Sequence, residues 1–216
     1  IKFLGNLKFS ESKTQKNITL NKNIEKIFKS RKIWCAASTH EGEEKICVEA
    51  HQKLKKKYKK LLTVIIPRHV HRVNDIYKEI LDMGFKVQIH SKKSKIKKDT
   101  DIYLVDTYGE TKSFFKICNT VFLGGSIVNH GGQNPLEPAR FGCKILHGPN
   151  IQNFTEVYRL LNKENLSFKF YNTNQLAKSV NQSLNQNINF SKKITKLKKI
   201  GSNILNHTST EINCFL

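Results

Sequence analysis

Short runs of β-branched and other apolar residues alternate with segments of helical period along most of this chain. Alternation at this spacing, with room for one helix between successive strands, is typical of βαβ units and a mainly parallel sheet. One run, Val64-Ile65-Ile66, is apolar on both faces, as in a central parallel strand that helices cover on each side. The predicted strands occupy residues 33–38, 62–67, 86–91, 101–106, 120–124, 144–148 and 168–171.

Apolar residues also recur every three or four positions, which is the period of one face of an α-helix. Two such segments lie between predicted strands, and the pattern after residue 170 becomes mostly helical. The sequence therefore predicts an α/β fold with a doubly wound, mainly parallel, Rossmann-like sheet. The predicted helices lie at residues 46–54, 73–81, 176–184 and 191–205.

The predicted nucleotide-binding domain occupies residues 25–190. The segment 10–24 is polar and rich in Asn and Lys, so residues 1–24 are expected to form a linker. Residues 191–216 are expected to form a C-terminal helix and tail, and residues 92–99 a charged loop. The first residue is Ile, so we expect the chain to begin within a longer protein.

The net charge is the most unusual bulk property of the chain. Its 216 residues include 38 Lys and Arg against 17 Asp and Glu, a formal charge of +21, which invites a nucleic-acid, acidic-substrate or membrane-surface interpretation. Nucleic-acid readers usually use Arg, because its planar fork forms paired bonds with phosphates and bases. Here most of the basic residues are Lys, which is more typical of a solvated surface. The five arginines to locate are Arg31, Arg68, Arg72, Arg140 and Arg159.

Composition excludes several other classes of protein. A hydrophobic content of 38%, with 13 Phe, excludes a disordered basic tail. The five cysteines form no CxxC pair, so neither a zinc site nor a disulfide framework is predicted, and a reducing compartment is expected. No apolar run reaches the roughly 18–20 residues that a membrane-spanning helix needs.

Polar and glycine-rich segments follow five of the predicted strands. Ligands of open parallel sheets bind beyond the carboxyl ends of the strands, where the N-termini of helices also point. These segments are therefore predicted to outline one cleft. They are STHEGEE at 38–44, PRH at 67–69, DTYGE at 106–110, the glycine-rich stretch 124–137, and GPN at 148–150 with Asn153 and Phe154 close behind.

The stretch after residue 124 has two interpretations. The segment NPLE is a good helix start, with Asn134 as the N-cap, Pro135 at the first position and Glu137 completing a capping box. The glycine pairs at 124–125 and 131–132 either serve turns or let backbone N–H groups approach a phosphate. The chain contains neither a GxGxxG fingerprint nor a P-loop.

Arg68 directly follows a buried strand and a stiff proline, so it is predicted to be a fixed cation that binds a phosphate; the alternative is a surface salt bridge. His40 and His69 follow neighbouring strands, and each either donates to an anion or is an ordinary loop histidine. Glu43 and Glu44 are expected in the first turn of a helix, where carboxylates interact favourably with the helix dipole.

Taken in order, these motifs resemble the Kdo (3-deoxy-D-manno-octulosonic acid) transferases of lipopolysaccharide synthesis, nearly end to end over their C-terminal half. Two positions depart from the family: Tyr108 stands where Met is usual, and Gln133 where His is usual. The matching motifs are GNLKF at 5–9, STHEGEE at 38–44, PRH at 67–69, DTYGE at 106–110, GGS at 124–126, GGQNPLEPA at 131–139 and GPNIQNF at 148–154.

The resemblance implies a two-domain GT-B glycosyltransferase with the active site between two facing Rossmann-like domains. This chain would be the C-terminal domain, which binds the donor CMP-Kdo, and residues 1–24 would lead from an N-terminal acceptor domain. The implied donor-binding residues are Pro67, Arg68, Tyr108, Gly109, Glu110, Asn134, Pro135, Leu136 and Glu137.

The resemblance also implies roles and chemistry. Arg68 would contact the phosphate, residues 108–110 would line the nucleotide pocket, and Glu137 would suit ribose hydroxyls while capping its helix. Kdo would pass to a lipid A precursor with inversion and with no metal or cofactor, because a fixed Arg and a helix N-terminus can stabilise the departing phosphate. The general base would belong to the acceptor domain, so no catalytic residue is assigned in this chain. The enzyme would be peripheral at the cytoplasmic face of the inner membrane, without a nucleic-acid partner.

Other functions stay open. A basic nucleic-acid-binding protein would explain the charge, although the basic residues are not interleaved with aromatic ones. A related GT-B transferase could use another nucleotide sugar. The segment 192–200 places three apolar residues among five Lys, which suits either an anionic membrane surface or an ordinary surface helix.

Overall fold

The fold is known from a computed structural model, which describes residues 20–92 and 96–185 together with positions 195, 199, 202, 203, 206–210 and 213. The GNLKF motif and most of the segment 1–24 lie outside the described residues. So do most of the predicted helix over 191–205 and of the basic segment 192–200. Among the described residues, no helix is both long enough and apolar enough to cross a membrane.

Seven strands form one sheet in the order β3-β4-β2-β1-β5-β6-β7. All six pairings between these neighbouring strands are parallel. Each observed strand coincides with a predicted one, and the parallel sheet is confirmed. The strands are β1 (Lys32–Thr39), β2 (Leu61–Pro67), β3 (Val87–Ile89), β4 (Ile102–Leu104), β5 (Thr120–Leu123), β6 (Lys144–His147) and β7 (Ser167–Lys169).

Seven α-helices accompany these strands between residues 20 and 185, and the described positions beyond 185 are also helical. The predicted helices over 46–54, 73–81 and 176–184 correspond to α2, α3 and α7, and the helix start at NPLE corresponds to α5. The sequence patterns did not predict α1, α4 or α6. The helices are α1 (Lys22–Lys29), α2 (Glu43–Lys55), α3 (Val73–Asp82), α4 (Thr111–Phe115), α5 (Leu136–Arg140), α6 (Thr155–Lys163) and α7 (Thr173–Leu184).

Helix α1 begins inside the segment 10–24, so the linker prediction is wrong for its last residues. The side chain of Asn21 accepts a hydrogen bond from the Asn23 N–H at 2.9 Å, which satisfies one of the free N–H groups at the helix start. Phe28 on this helix is fully buried against Tyr103 of β4, with ring centroids 5.2 Å apart in an edge-to-face arrangement. Tertiary packing therefore holds this polar helix in place.

The helices cover both faces of the sheet. Residues of α1, α4, α5 and α6 pack in one apolar layer with Val64 of β2, and residues of α2, α3 and α7 pack in the other with Ile65. Every residue of β2 is buried, and this strand lies between β4 and β1. The prediction of a central strand covered on both sides is confirmed, and so is the doubly wound architecture.

Charged and polar side chains join the amino ends of β1, β2 and β4. The buried Asp101 carboxylate lies 2.5 Å from Lys55 Nζ and 3.7 Å from His51 Nε2, and it accepts the Lys86 N–H at 3.1 Å. Burial alone would raise the pKa of Asp101, but hydrogen bonds from His51 and Lys55 outweigh burial and hold the pKa well below its usual value. Arg31 donates to the carbonyls of residues 60, 61 and 100, which tie the three strands together.

Candidate functional site

The direction of the strand order reverses beside β1. The chain runs from β1 to β2 and on to β3 and β4 on one side, and then crosses to β5 on the other side of β1. Such a reversal opens a crevice between the loops that leave the two neighbouring strands, and open α/β sheets bind ligands there. The segments STHEGEE and GGS leave β1 and β5 at this point, as the sequence predicted.

Glu43 joins these two loops. Its fully buried carboxylate accepts backbone N–H groups from His40 at 2.9 Å, Gly125 at 2.7 Å, Ser126 at 3.1 Å and Ile127 at 2.9 Å. The residue does open helix α2, as predicted. Its contacts go beyond an interaction with the helix dipole, because four donors on two loops depend on one carboxylate.

Close backbone approach requires glycine at the end of β5. A Cβ on Gly124 would lie 2.3 Å from the Ser38 carbonyl oxygen, which leaves no space for a side chain. The N–H groups of Gly124 and Gly132 donate to backbone carbonyls, and that of Gly125 donates to Glu43. Of the two interpretations of these glycines, the one in which their N–H groups approach a phosphate is therefore wrong at these three positions, which leaves the role in turns.

The loop after β6 packs on the loop after β5. Gly148 donates its N–H to the Ser126 hydroxyl at 2.9 Å, and the Asn150 N–H donates to the Ser126 carbonyl at 2.8 Å. Further along, the Asn153 N–H donates to the Gly131 carbonyl at 3.1 Å. The motifs GGS, GGQNPLEPA and GPNIQNF thus form one backbone-linked wall of the cleft.

Arg68 stands exposed at the end of β2, after the buried Pro67. Its N–H donates to the Thr39 carbonyl at 3.0 Å, which fixes its backbone beside the end of β1. Its guanidinium forms no ion pair with any of the described residues, so the salt-bridge interpretation is wrong for this part of the chain. Arg72 differs, because it forms a paired contact at 2.9 and 3.3 Å with the buried Glu44.

Four imidazole rings gather where β1, β2 and β5 end. The ring centroid of His40 lies 4.3 Å from that of His130 and 6.1 Å from that of His69, and His71 lies 5.6 Å from His69. Burial and the nearby His130 lower the pKa of His40, against the opposing effect of Glu43. His130 was not singled out in the sequence, although its position between two glycine pairs after a strand was an available signal.

The DTYGE segment, which follows β4, presents the exposed ring of Tyr108 and the hydrogen-bonded carboxylate of Glu110. Tyr108 has 69% of its surface exposed, next to Gly109 at φ +82°. Glu110 accepts hydrogen bonds from His90 Nε2 at 3.0 Å and from the Thr107 hydroxyl. These contacts fix the carboxylate at the base of the loop, while the tyrosine ring remains free to contact a ligand.

The NPLE segment meets the DTYGE side of the cleft. The Asn134 side chain accepts the Leu136 N–H at 3.0 Å, so it does satisfy a donor at the start of α5. The rest of the predicted cap is wrong, because Pro135 precedes the first helical residue and Glu137 contacts Lys112 and does not complete a capping box. The Glu137 carboxylate lies 3.5 Å from Lys112 Nζ, with 41% of its side chain exposed. This pair links the predicted nucleotide-binding residues after β4 to those after β5. On the other side of the cleft, the contact of His69 with His40 links the end of β2 to the end of β1.

Comparison with proteins of known sequence decides the relationship. No protein-family model matches the chain. Three curated relatives, each named 3-deoxy-D-manno-octulosonic acid transferase, come from Haemophilus influenzae (34% identical, 73% of this chain), Aquifex aeolicus (30%, 69%) and Rickettsia typhi (29%, 85%). This chain is a homologue of the Kdo transferases. The matched regions make up 37%, 41% and 40% of these relatives, so the chain spans less than half of their length.

Solved structures agree on the fold of this Kdo transferase homologue. The C-terminal CMP-Kdo binding domain of WaaA from Acinetobacter baumannii superposes with a TM-score of 0.69 at 24% identity, covering 82% of this chain and 91% of that domain. A trehalose 6-phosphate synthase from Burkholderia multivorans matches with a TM-score of 0.52 at 12% identity. The predicted fold class, a Rossmann-like C-terminal domain of GT-B type, is confirmed.

Proposed function

We propose that this chain is the donor-binding domain of a Kdo transferase and that its cleft binds CMP-Kdo. The relatives named above support the choice of CMP-Kdo as the substrate. One structural observation supports the location of the binding site. Arg68 is an exposed guanidinium without an ionic partner among the described residues, held beside the strand-order reversal. A phosphate is the ligand that an unpaired guanidinium, carried by a fixed backbone at this edge of the sheet, fits best.

In this proposal the nucleotide lies along the carboxyl edge of the sheet. Arg68 binds the phosphate, and the exposed ring of Tyr108 packs on the cytosine. The Glu137 carboxylate accepts ribose hydroxyl groups and keeps its contact with Lys112. Pro67, Gly109, Glu110, Asn134, Pro135 and Leu136 complete the site, the buried ones through their backbone.

The chemistry of transfer follows from the charges. When the bond between the sugar and CMP breaks, negative charge grows on the departing phosphate, and Arg68 stabilises it. The acceptor hydroxyl must lose a proton to a general base. We assign that base to an acceptor domain to which residues 1–24 lead. The proposed whole enzyme inverts the anomeric centre without a metal, and it acts on a lipid A precursor at the cytoplasmic face of the inner membrane.

Calorimetric titration of the 216-residue chain with CMP tests the phosphate assignment. The Arg68→Ala variant should bind CMP at least tenfold more weakly, because a charge-assisted hydrogen bond contributes about 1.5–3 kcal/mol. Arg159→Ala, which removes another exposed arginine on α6, is the matched control and should bind like the wild type. Equal CMP affinity in the two variants would contradict the phosphate role of Arg68.

Competition between nucleotides separates this proposal from the related transferases. UDP should displace CMP only at concentrations at least tenfold above those of CMP itself. If UDP competes as well as CMP, the donor is another nucleotide sugar. Tight binding of duplex or single-stranded nucleic acid that falls steeply with salt would instead favour the nucleic-acid interpretation.

A further inference from the structure

The four imidazoles at the ends of β1, β2 and β5 are not used by the nucleotide contacts proposed above. His69 follows Arg68 directly in the chain, so the imidazoles begin one residue from the proposed phosphate ligand. His69, His71 and His130 are exposed, whereas His40 is largely buried beneath this surface. Among the described residues, no group of His, Cys, Asp and Glu side chains is placed to share a metal ion.

His40 has a fixed tautomer. Its Nδ1 lies 3.1 Å from the Ser38 carbonyl oxygen, which can only accept, so Nδ1 carries the proton. Its buried Nε2 has no hydrogen-bond partner, and neither has the hydroxyl of the fully buried Thr39 beside it. Buried polar atoms in native proteins are nearly always paired. Of five unpaired ones among the described residues, these are the two that lie at the carboxyl end of β1, beside the imidazole cluster.

The backbone around these atoms is strained. Ser38 adopts φ +56°, a left-handed conformation that costs energy in a residue with a side chain, and the pairing of β1 with β2 shifts register between Ala37 and Thr39. Strain of this kind persists where surrounding contacts over-determine it, and it clusters at ligand sites. Glu43 supplies those contacts, because it accepts the N–H groups of both loops.

The donor molecule has a second anion for which the nucleotide contacts provide no partner. Kdo is a ketosugar acid, and its carboxylate is attached to the same anomeric carbon that carries the phosphate. The two anions are therefore only a few ångströms apart, and a site that binds the phosphate through Arg68 must place the carboxylate close by. The imidazole cluster is the group of potential cations beside that position.

We propose that His40, His69 and His130 form a subsite for the anomeric carboxylate of the donor sugar. The inference rests on the proposed function, since it takes CMP-Kdo as the ligand. His69 and His130 contact the carboxylate directly from opposite sides of the cleft, and His40 supports His130 from below. His71 lies at the outer edge, next to His69.

Binding of this carboxylate takes up a proton. The groups that face His40 are Glu43 from α2, His69 from the end of β2 and His130 from the loop after β5. Burial and His130, whose ring centroid lies 4.3 Å away, lower the pKa of His40 and so favour its neutral form in the free protein. A bound carboxylate favours the protonated imidazole.

The experiment compares two ligands on the 216-residue chain. Calorimetry gives the affinities for CMP and for CMP-Kdo, and repetition in buffers of different ionisation enthalpy gives the number of protons exchanged. The wild type should prefer CMP-Kdo over CMP by at least tenfold and should take up protons only with CMP-Kdo. His69→Asn and His130→Asn should each lower that preference at least fivefold and reduce the proton uptake; both residues are exposed, so the fold should survive.

The outcomes separate the two proposals. If the wild type binds CMP and CMP-Kdo equally well, or if both variants keep the full preference and the proton uptake, the carboxylate subsite is wrong while the nucleotide site stands. If the wild type binds neither ligand, the proposed function fails. CMP-N-acetylneuraminic acid, which also has an anomeric carboxylate, serves as a second probe and should cause the same proton uptake if it binds.

Discussion

The two ends of the parallel sheet use the same residue types in opposite ways. At the amino end, Arg31 donates to three backbone carbonyls and Asp101 contacts Lys55, His51 and a backbone N–H. At the carboxyl end, the guanidinium of Arg68 has no ionic partner among the described residues. Buried nitrogens without a hydrogen-bond partner occur at both ends, His40 Nε2 at this one and Arg31 Nη1 and His51 Nε2 at the other. At the amino end, Arg31 and Asp101 bind groups on neighbouring strands. At the carboxyl end, the side chain of Arg68 is left available for a ligand.

Glu43 differs from Arg68 and His40, because it is fully hydrogen-bonded within the protein and holds in place the loops around them. It lies at the carboxyl end, yet all its hydrogen bonds go to the chain's own backbone. Free cations and strained loops are costly, and a single buried carboxylate holds the loops in place around them. The comparison teaches that a binding edge needs its own internal anchor, separate from the groups that it presents to a ligand.

The largest effect is expected from Glu43→Gln. The amide oxygen cannot replace a carboxylate that serves four donors, and the new NH₂ group would face N–H groups, so the free energy of unfolding should fall by about 4 kcal/mol. Urea unfolding at pH 7 measures this change. Glu41→Gln, on the exposed part of the same loop, is the control and should leave stability unchanged. A loss as small as that of the control would mean that Glu43 does not anchor the loops.

Asp101→Asn tests the opposite end of the sheet. The buried carboxylate is lost while Lys55 and His51 remain, and breaking a buried ionic contact of this kind should cost about 3 kcal/mol. Asp99→Asn is the matched control, because Asp99 is exposed and pairs only with the exposed Lys86. CMP affinity should not change in either variant. If Asp101→Asn lost CMP binding at temperatures where it is folded, the amino end would also be needed for ligand binding, and the contrast between the two ends would be wrong.

Asp101 and His51 should make the stability depend on pH at the amino end, while the buried His147 at the end of β6, with its pKa lowered to about 4, adds a loss below about pH 6.5 that Asp101→Asn leaves unchanged. The pKa of Asp101 is held low in the fold, so its contribution is present above about pH 4, its unfolded pKa, and is lost as pH falls further. Burial lowers the pKa of His51, so its contribution is likewise lost, starting below about pH 6.5. Unfolding curves from pH 7 to pH 3 should therefore show the wild type approaching Asp101→Asn below pH 4. Parallel curves would contradict the assignment.

The smallest effect comes from two threonines on neighbouring strands. Thr63 near the amino end of β2 is hydrogen-bonded to His51 Nδ1 at 2.9 Å, whereas the Thr39 hydroxyl at the carboxyl end of β1 has no partner, and both are fully buried. Thr63→Val should lower the free energy of unfolding by about 1–2 kcal/mol, and Thr39→Val should raise it by up to about 1 kcal/mol. Urea unfolding without ligand compares the two; effects of the same sign would contradict the contrast.

Much of the fold was accessible from the sequence because the signals are local. The central strands could be predicted because a strand buried on both faces needs a continuous apolar run such as that at residues 64–66. The edge strands β3 and β7 are only partly buried and are predicted from shorter apolar runs. The start of α5 could be predicted, since the Asn134 side chain accepts the N–H of the residue two positions on. Arg68 could be singled out because it directly follows such a strand.

Some of the missing elements had weak local signals. Helix α1 is short, with its apolar Ile24, Ile27 and Phe28 on one face, and its first residues lie in the polar segment 10–24, which has the composition of a linker. The contact of Phe28 with Tyr103 joins residues 75 positions apart, so only the tertiary structure shows it. His130 and Lys112 become part of the cleft only because β5 lies beside β1 and α5 lies beside α4. The sequence left two interpretations of the glycines open, and only the structure shows that the N–H groups of Gly124, Gly125 and Gly132 have partners inside the protein.

The sequence by itself determined the layered α/β fold, the strand ends at which the polar segments stand, and the likeness to the Kdo transferases, because all of these depend on residue type and spacing. Only the tertiary structure decided which charged side chains are bound by other groups of the protein. Arg31, Arg68 and Arg72 are chemically identical, and each follows or precedes a strand. Arg31 donates to three carbonyls, Arg72 pairs with Glu44, and Arg68 has no ionic partner among the described residues. The strand order and the burial that it creates decide these differences.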